Sequence, residues 1–281
     1  QMCIRDRRIA PELYLKRLVV GGSGPVYELG RDFRNEGADA THNPEFTVLE
    51  AYRPYADYVQ MRELTERLIK DAARAVFGSV SLPLGRKASS ERVVRDVSGP
   101  WRVVSVCDAL SEALGRRVDV QTDFEELLTL AQQHGVRVHE GMGPGAIVEE
   151  LYGELVEAHT VEPTFYTDFP AETSPLAAPH RSVPGLAERW DLVINGMEMG
   201  CAYSELADPL VQRERLTEQS LKAASGDLEA MEVDEDFLYA LETGMPPTGG
   251  LGLGVDRLVM LLAQTQIRGV LSFPFVKPER S

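Results

Sequence analysis

The two stretches that decide the fold are Arg34-Asn35-Glu36-Gly37 and His42-Asn43-Pro44-Glu45-Phe46-Thr47-Val48-Leu49-Glu50. Just before them, in the segment 26–33, the side chains of Tyr27, Leu29 and Phe33 share one face of an alternating pattern. Alternation with a period of two predicts a β-strand. A second strand is predicted at 45–52, after a polar turn at 35–44. Together these segments predict an antiparallel hairpin with a long connecting loop.

Outside this hairpin, two segments have helical periodicity, and the core of the sheet is predicted to resume at 164–169, 189–194 and from Met197 onward. The segment 57–77 carries Met61, Leu64 and Leu68 at helical spacing, and 8–17 is a shorter predicted helix. The chain closes with a glycine-rich strand that enters a helix at 256–266. Because strands and helices segregate rather than alternate, the pattern predicts an α+β fold with an antiparallel sheet flanked by helices.

A change of character predicts an insertion at about 78–162. It begins with a link rich in glycine, proline and serine, and it contains predicted helices after Thr122 and at 144–158. Thr122 and Glu125 have the spacing of a capping box. We expect a single domain over 1–281, in which this insertion packs beside the main sheet.

Composition excludes several classes of protein. A net charge of −15 argues against a general nucleic-acid binder, which needs a basic field to pair with phosphates. Three widely spaced cysteines predict neither a zinc site nor a disulfide framework, and they fit a reducing cytoplasm. The sequence has no apolar run of the roughly 20 residues that span a bilayer. At 281 residues the chain can bury one large core or two smaller ones.

Glu50 stands on a strand face that is otherwise apolar or aromatic, with Phe46, Val48 and Tyr52. A buried carboxylate needs a partner, so two interpretations stay open. Glu50 forms a structural ion pair with a nearby arginine, or it lines a pocket for a cationic ligand. Arg34 is similarly open between a surface charge and a phosphate-binding guanidinium, whose planar fork suits that ligand.

A second group of polar residues surrounds Asn195-Gly196, a strong signal for a two-residue hairpin turn. This turn sets Val193 opposite Glu198, so that Asp191 lies on the same face as Glu198, one diagonal step away. Diagonal neighbours lie roughly 7–8 Å apart, close enough to share one hard cation. The alternative is two solvated acids on the outer face of the hairpin.

Glu205 follows Glu198 by seven residues. An odd offset places it on the opposite face of a regular strand. It rejoins the two acids only if a β-bulge intervenes, and Gly200 is a suitable position for one.

A third group is glycine-rich and ends in a charged pair, Gly249-Gly250-Leu251-Gly252-Leu253-Gly254-Val255-Asp256-Arg257. Glycines permit tight packing of a strand on a helix, or close approach of a ligand to the backbone. No βαβ unit follows, which argues against a dinucleotide-binding fingerprint. Arg257 beside the glycines favours nucleotide binding.

These groups together resemble the class II aminoacyl-tRNA synthetases. The stretches at 34–37 and 42–50 resemble motif 2 of that class, and 249–257 resembles motif 3. The segment 8–18 is similar to the stretch that precedes motif 2 in lysyl-tRNA synthetases. The segments 165–184, 203–216 and 273–278 are closer still to the synthetase half of bifunctional lysylphosphatidylglycerol-biosynthesis proteins.

The resemblance implies ATP- and Mg²⁺-dependent activation of L-lysine and its transfer to tRNA(Lys). It implies these roles: catalysis by Arg34 and Arg257; ATP binding by Arg34, Glu36, His42, Asn43, Phe46, Asp191, Glu198 and Arg257; Mg²⁺ binding by Asp191 and Glu198; lysine binding by Glu12, Glu50, Tyr52, Glu205 and Gly252. A homodimer and a cytoplasmic location are implied for the parent protein.

Two departures from the family pattern affect these expectations. The first motif and the anticodon-binding barrel belong before Arg8, so the chain is expected to be part of a longer protein. Cys201 and Ala202 stand where many relatives have Asn-Gly, which alters hydrogen bonding near the lysine. Two other functions stay open: a lysine ligase acting on a translation elongation factor, and a non-catalytic relative. The latter is expected to lack the arginines and metal acids that this sequence retains.

Overall fold

A computed structural model describes residues 8–34, 37–85, 92–139, 141–224 and 233–275. Its strands are β1 (Val26–Phe33), β2 (Glu45–Pro54), β3 (Ser81–Leu84), β4 (Val93–Asp96), β5 (Arg102–Ser105), β6 (Thr164–Thr167), β7 (Arg189–Ile194), β8 (Met197–Ser204) and β9 (Thr248–Gly254). Its α-helices are α1 (Glu12–Val20), α2 (Tyr58–Phe77), α3 (Val106–Leu114), α4 (Phe124–Gln133), α5 (Pro144–Leu155), α6 (Pro209–Ala224), α7 (Glu235–Gly244), α8 (Val255–Ala263) and α9 (Ile267–Val270).

One mixed sheet of seven strands organises the chain, in the order β1-β2-β9-β8-β7-β6-β5. All neighbours in it are antiparallel except β5 and β6. Helices flank this sheet, so the α+β prediction is confirmed. The long-looped hairpin is also confirmed as β1 and β2, with Glu28 opposite Glu50.

The hairpin's edge strand buries its polar side rather than its apolar side. Tyr27 and Leu29 are 75% and 60% exposed, whereas Asp32 is fully buried. The inner face of β1 lies beside α1 and the Arg8 side chain, whose Nε is 3.1 Å from Asp32 Oδ1. An ion pair therefore replaces the apolar contact that a regular strand would make there.

Helix α2 covers the back of the sheet. Asp57 caps it: its side chain accepts from the backbone of Val59 and Gln60, while the Gln60 side chain accepts from Asp57 N–H. Met61 and Ile69 on α2 pack against Leu251 and Leu253 of β9 in the main apolar core. The opposite face of β9 is thereby left for the site.

The segment 78–162 contributes a small β3–β4 sheet, strand β5 at the edge of the main sheet, and helices α3 to α5. Those helices share a second core around Leu110, Leu127 and Ile147. Asp123, rather than Thr122, caps α4, because the Thr122 hydroxyl instead accepts from Asp119 N–H. The division of 1–281 into a core and an insertion stays a prediction.

Helices α1 and α7 pack together at the β1–β2 end of the sheet. Leu15 and Val19 of α1 meet Phe237 and Leu241 of α7 in a third apolar cluster, which also includes Tyr52. This packing presses the polar side of α1 toward the end of the sheet that carries Glu50. Among the described residues, no helix combines the length and apolar character needed to cross a membrane.

Candidate active site

A cavity of about 500 Å³ opens on the face of the sheet opposite α2. Strands β2, β9 and β8 form its floor, and one row of paired residues runs across them: Glu50, Gly252 and Cys201, in register with Asp191 on β7. Strands are roughly 4.8 Å apart, so Glu50 and Asp191 stand roughly 14 Å from each other. The floor is long enough for two ligand groups end to end.

The glycines of β9 form the floor of the cavity. The space above them is filled at one position and open at another. A Cβ at Gly250 would lie 1.8 Å from Glu205 Oε1 and 2.6 Å from the Tyr52 ring. A Cβ at Gly252 would meet nothing within 4 Å, so this position is open to the cavity. The alternating leucines, Leu251 and Leu253, enter the core instead. Alternation along β9 thus separates floor from core.

A β-bulge brings the acids of β8 onto this face. Asn195 and Gly196 have φ of 56° and 68°, and the register sets Val193 opposite Glu198, as predicted for the turn. The register then shifts, and Leu192 lies opposite Gly200. The extra residue reverses the alternation after Glu198. Cys201, Tyr203 and Glu205 therefore reach the cavity, and the bulge predicted at Gly200 is confirmed.

The cavity brings together most of the residues predicted for the site. Those that line it are Glu12, Arg34, His42, Asn43, Phe46, Glu50, Tyr52, Glu198, Glu205, Gly252 and Arg257. Arg34 and Arg257 thus share one cavity with the acids, as the prediction required. Asp191 does not line it, and its role as a metal ligand stays a prediction. Glu36 lies outside the described residues.

The β2 end of the cavity is acidic and contains one buried cation. The Lys16 side chain is fully buried, with its Nζ 2.6 Å from Glu12 Oε1 and 2.5 Å from Glu205 Oε2. Glu50 is 7% exposed, and its Oε2 accepts a hydrogen bond of 3.0 Å from the Tyr52 hydroxyl. Two of the three carboxylates at this end therefore contact one internal ammonium, and the third, Glu50, accepts from Tyr52.

Crowding of acids changes how these groups hold protons. Burial raises the pKa of Glu50 to about 8, Glu12 adds to the rise, and the Tyr52 hydrogen bond opposes it. Burial also raises the pKa of Glu205 despite Lys16. Burial lowers the pKa of Lys16, but the Glu12 and Glu205 carboxylates more than offset this, so Lys16 stays charged. A proton on Glu50 therefore relieves both its burial as a charge and its repulsion by the neighbouring carboxylates.

Two arginines mark the other part of the cavity. The Arg34 guanidinium lies 5.2 Å from the Phe46 ring, and its Nε donates to Ile9 O at 3.3 Å. Arg257 NH1 donates to Glu198 O at 2.7 Å, and its NH2 lies 3.1 Å from His42 Nε2. Both guanidinium groups keep donors free for an anion, because each has five N–H groups.

His42 is fixed by Asp39 from the loop between β1 and β2. Asp39 accepts from the backbone of Thr41 and His42, and the His42 Nδ1 lies 2.9 Å from Asp39 Oδ2. These hydrogen bonds more than offset desolvation and hold the pKa of Asp39 below its usual range. Nδ1 therefore carries the proton, and Nε2 accepts from Arg257. The loop thus orients Arg257.

Asp191 lies just beyond the cavity lining, held by Arg189. Arg189 Nε and NH2 donate to its two oxygens at 3.0 and 2.8 Å, and Arg189 NH1 also meets Glu149 at 2.8 Å. Burial raises the pKa of Asp191, Arg189 opposes the rise, and Glu198 adds to it. The two acids of the hairpin thus repel each other, although Arg189 pairs with Asp191 and Arg257 lies 3.9 Å from Glu198 Oε2.

This pair fits the Mg²⁺ that the family resemblance implies. Carboxylates are hard donors, and each Asp191 oxygen keeps a second lone pair beyond its bond to Arg189. No group of three or more metal-ligating side chains occurs in the described parts of the chain. Two protein ligands suit Mg²⁺, which completes its shell with waters and substrate phosphates.

Sequence reasoning missed several residues of the site. Lys16 follows Glu12 by one helical turn, a spacing that signals an ion pair. Tyr203 lies two residues from both Cys201 and Glu205, so the shifted alternation places it in the cavity. Asp256 is buried and accepts from Thr47 N–H at 2.7 Å, joining α8 to β2. All three lie in stretches that the resemblance had marked, 8–18, 203–216 and 249–257, but no role had been predicted for them.

Comparison with known proteins identifies the class to which this fold and site belong. The sequence model of the family described as "tRNA synthetases class II (D, K and N)" matches residues 7–277. The chain therefore belongs to this family, and the resemblance seen in the motifs is confirmed.

The chain is also similar to proteins named "Lysylphosphatidylglycerol biosynthesis bifunctional protein LysX". The protein of Nocardia farcinica is 57% identical over 272 residues, and that of Mycobacterium tuberculosis is 55% identical over 277 residues. A third, from Mycolicibacterium gilvum, is 57% identical over 271 residues. Each match covers 96% of this chain but 24% of the relative. The chain thus spans about a quarter of the length of these relatives.

Proposed function

We propose that this chain activates L-lysine with ATP and Mg²⁺ to form lysyl-adenylate, and that the lysyl group then passes to tRNA(Lys). One observation carries the proposal: two arginines line the same cavity as a cluster of acids, of which Glu12 and Glu205 contact Lys16 at the end that carries Glu50. Family membership adds the expectation of adenylate chemistry. A charge-separated cavity of this kind suits an anionic nucleotide beside a cationic amino acid.

The acidic end is the proposed lysine site. Glu50, Tyr52 and Glu205 enclose the side-chain ammonium, and Glu12 receives the α-ammonium. Each acid is buried or half-buried, so a charged ligand gains more from it than in water. Gly252 leaves open floor for the aliphatic part of the ligand, because a Cβ there would meet no atom within 4 Å.

ATP is proposed to lie along the arginine side of the cavity. Phe46 stacks on adenine, with His42, Asn43 and Glu36 nearby; Arg34 holds the α-phosphate and Arg257 the γ-phosphate. In the structure Arg34 covers the Phe46 ring at 5.2 Å, so adenine displaces the guanidinium toward the phosphates. Asp191 and Glu198 would hold Mg²⁺, which would supply neutralisation of the phosphate charge.

The reaction requires no protein nucleophile. An oxygen of the lysine carboxylate forms a bond to the α-phosphorus, and the bond to the bridging oxygen breaks, with its electron pair leaving on pyrophosphate. Arg34 stabilises the charge that develops on the α-phosphoryl oxygens. Positioning of the two substrates in one cavity supplies the rest of the acceleration.

The names of the relatives favour one fate for the lysyl group in the whole protein. They are named for lysylphosphatidylglycerol biosynthesis, which favours a lipid as the final acceptor. We infer that activated lysine made in this cavity, in the cytoplasm, supplies that pathway. The homodimer stays a prediction, and a translation elongation factor as acceptor stays the alternative.

Lysine-dependent exchange of pyrophosphate into ATP tests the activation step. We expect the natural protein that contains this chain, at its full length, to catalyse exchange with L-lysine and Mg²⁺. L-Norleucine matches the lysine side chain without its ammonium, and we expect it to support less than about a hundredth of the rate. Absence of lysine-dependent exchange would reject the proposal.

Lysine binding is expected to release protons near pH 7. Glu50 holds a proton there because its pKa is raised to about 8. An ammonium beside it favours the carboxylate, lowers its pKa and sends the proton to the buffer. Affinity for lysine should therefore rise between about pH 6 and pH 8, by up to about tenfold per unit for each proton released.

Calorimetry in two buffers of different ionisation enthalpy measures this release. The observed binding enthalpy at pH 7 should differ between the buffers in proportion to the protons released. Equal enthalpies in both buffers would contradict the assignment of Glu50 to the ammonium site.

A further inference from the structure

We propose that Lys16 is a positioning residue that sets the charge of the amino-acid pocket, so that the pocket accepts an α-amino acid with a second ammonium at the end of its side chain. The inference rests on the proposed function and deepens it. Lys16 has no exposed surface, so it acts through the acids that touch the ligand. It is therefore a specificity determinant rather than a catalytic residue.

The position of Lys16 follows from helix α1. Glu12 precedes it by one turn on the same helix, and their side chains pair at 2.6 Å. Glu205 reaches the same ammonium from the end of β8, at 2.5 Å. The rings of Tyr52 and Phe237 each lie 5.9 Å from Nζ and enclose it. Helix, sheet and α7 thus all fix one buried ammonium.

The ammonium of Lys16 sets the net charge of the amino-acid pocket. Glu12, Glu50 and Glu205 line the cavity, and Lys16 touches two of them. With all four groups ionised, the pocket keeps a net charge of about −2. An amino acid with two ammonium groups neutralises that charge, while its carboxylate is left for Arg34. Burying a charge without a partner costs free energy. The pocket therefore favours an amino acid whose two ammonium groups match its net charge.

Lys16 also orients Glu205 toward the ligand. It holds Oε2, while Oε1 lies over Gly250, where a Cβ would be only 1.8 Å away. One oxygen of Glu205 is thereby reserved for the internal cation and the other lies above the cavity floor. Without Lys16, Glu205 loses both its countercharge and the contact that fixes its rotamer.

Replacement of Lys16 by methionine tests the inference, because methionine keeps much of the volume without the charge. In the full-length natural protein, we expect K16M to raise the KM for lysine in pyrophosphate exchange about 30-fold or more. The KM for ATP should change less than about threefold. K16R, which retains a cation, should recover part of the affinity for lysine.

Lys70 provides a matched control, since it also pairs with a glutamate one turn away and lies 5.5 Å from a tryptophan ring. K70M lies on α2, away from the cavity, and should leave both KM values unchanged. If K16M raised both KM values equally, or neither, the inference would be wrong.

A second comparison covers the case in which K16M fails to fold. E205Q alone leaves a pocket charge of about −1, whereas K16M/E205Q restores about −2. We therefore expect the double variant to bind lysine about tenfold more tightly than E205Q, although it lacks one more native residue. Equal or weaker binding by the double variant would overturn the charge balance. Absence of lysine-dependent pyrophosphate exchange in the wild-type protein would instead reject the proposed function itself.

Discussion

Replacing Arg34 by alanine should lower the rate of lysine-dependent pyrophosphate exchange by about 10³-fold, while the fold stays intact. Removal of one preorganised donor to a developing oxyanion costs about 10²–10³ in rate, and a guanidinium on a phosphoryl group reaches the upper part of that range. Arg34 is exposed, and within the described residues its side chain donates one hydrogen bond, to Ile9 O. Its loss therefore has little effect on packing.

Stability measurements separate the loss of chemistry from a loss of fold. The contact between Arg34 and Phe46 at 5.2 Å contributes about 0.5–1 kcal/mol at such a site. The melting temperature of R34A should fall by only a few degrees. R34K, which keeps the charge but loses the planar fork, should be intermediate in rate.

Arg31 supplies the control, because it is an exposed arginine on β1, shortly before Arg34, and it pairs with Glu45. R31A should exchange pyrophosphate at nearly the wild-type rate. Wild-type exchange by R34A, or an equal loss in R31A, would refute the role proposed for Arg34.

The part of the site that sequence predicted well depends on short-range rules. Asn195-Gly196 fixes a two-residue turn, and the turn fixes the register of Val193 with Glu198. The odd offset of Glu205 then required a bulge, and the chain has one at Gly200. Each of these steps needs only neighbours along one strand or hairpin, which is why the sequence was sufficient.

The part that sequence could not predict depends on contacts between distant segments. Lys16 has the pattern of a surface lysine on α1, and its burial requires α7 and Glu205, which follow it by about 190 residues or more. Asp191 lies outside the cavity lining, and Arg189, on the same face, donates to both its oxygens. Which partner a buried acid takes is a tertiary choice, and alternation alone leaves it open.

The exposure of Tyr27 and Leu29 also depends on contacts between distant segments of the chain. Alternation in β1 separates two faces correctly, but it does not say which one is covered. Helix α1 and Arg8 cover the polar face, where Asp32 is buried. The apolar face of β1 is therefore exposed in the described chain.

Replacing Glu50 by glutamine should weaken lysine binding about 100-fold and change ATP binding less than about threefold. A hydrogen bond to a charged group contributes about 1.5–3 kcal/mol, which corresponds to roughly 10- to 150-fold in affinity. Glutamine keeps the shape and can still accept from the Tyr52 hydroxyl, so the change removes charge alone. The release of protons on lysine binding should largely disappear with it.

Glu45 gives a control on the same strand, since it is partly exposed and pairs with Arg31. E45Q should leave the affinity for lysine unchanged. Equal weakening of lysine and ATP by E50Q would contradict the pocket assignment.

The same substitution should stabilise the empty protein at alkaline pH. The pKa of Glu50 is raised from 4.5 to about 8 in the folded chain, so the wild type loses stability as pH rises across that interval. Glutamine carries no proton to lose, and the loss should be absent in E50Q. Thermal unfolding at pH 9 without lysine should therefore show a higher melting temperature for E50Q than for the wild type. Saturating lysine should reverse that order, because only the wild type gains the full binding energy. A carboxylate that destabilises the protein without lysine and stabilises it with lysine is a binding group. If Glu50 were instead part of a structural ion pair, E50Q would have a lower melting temperature than the wild type without lysine.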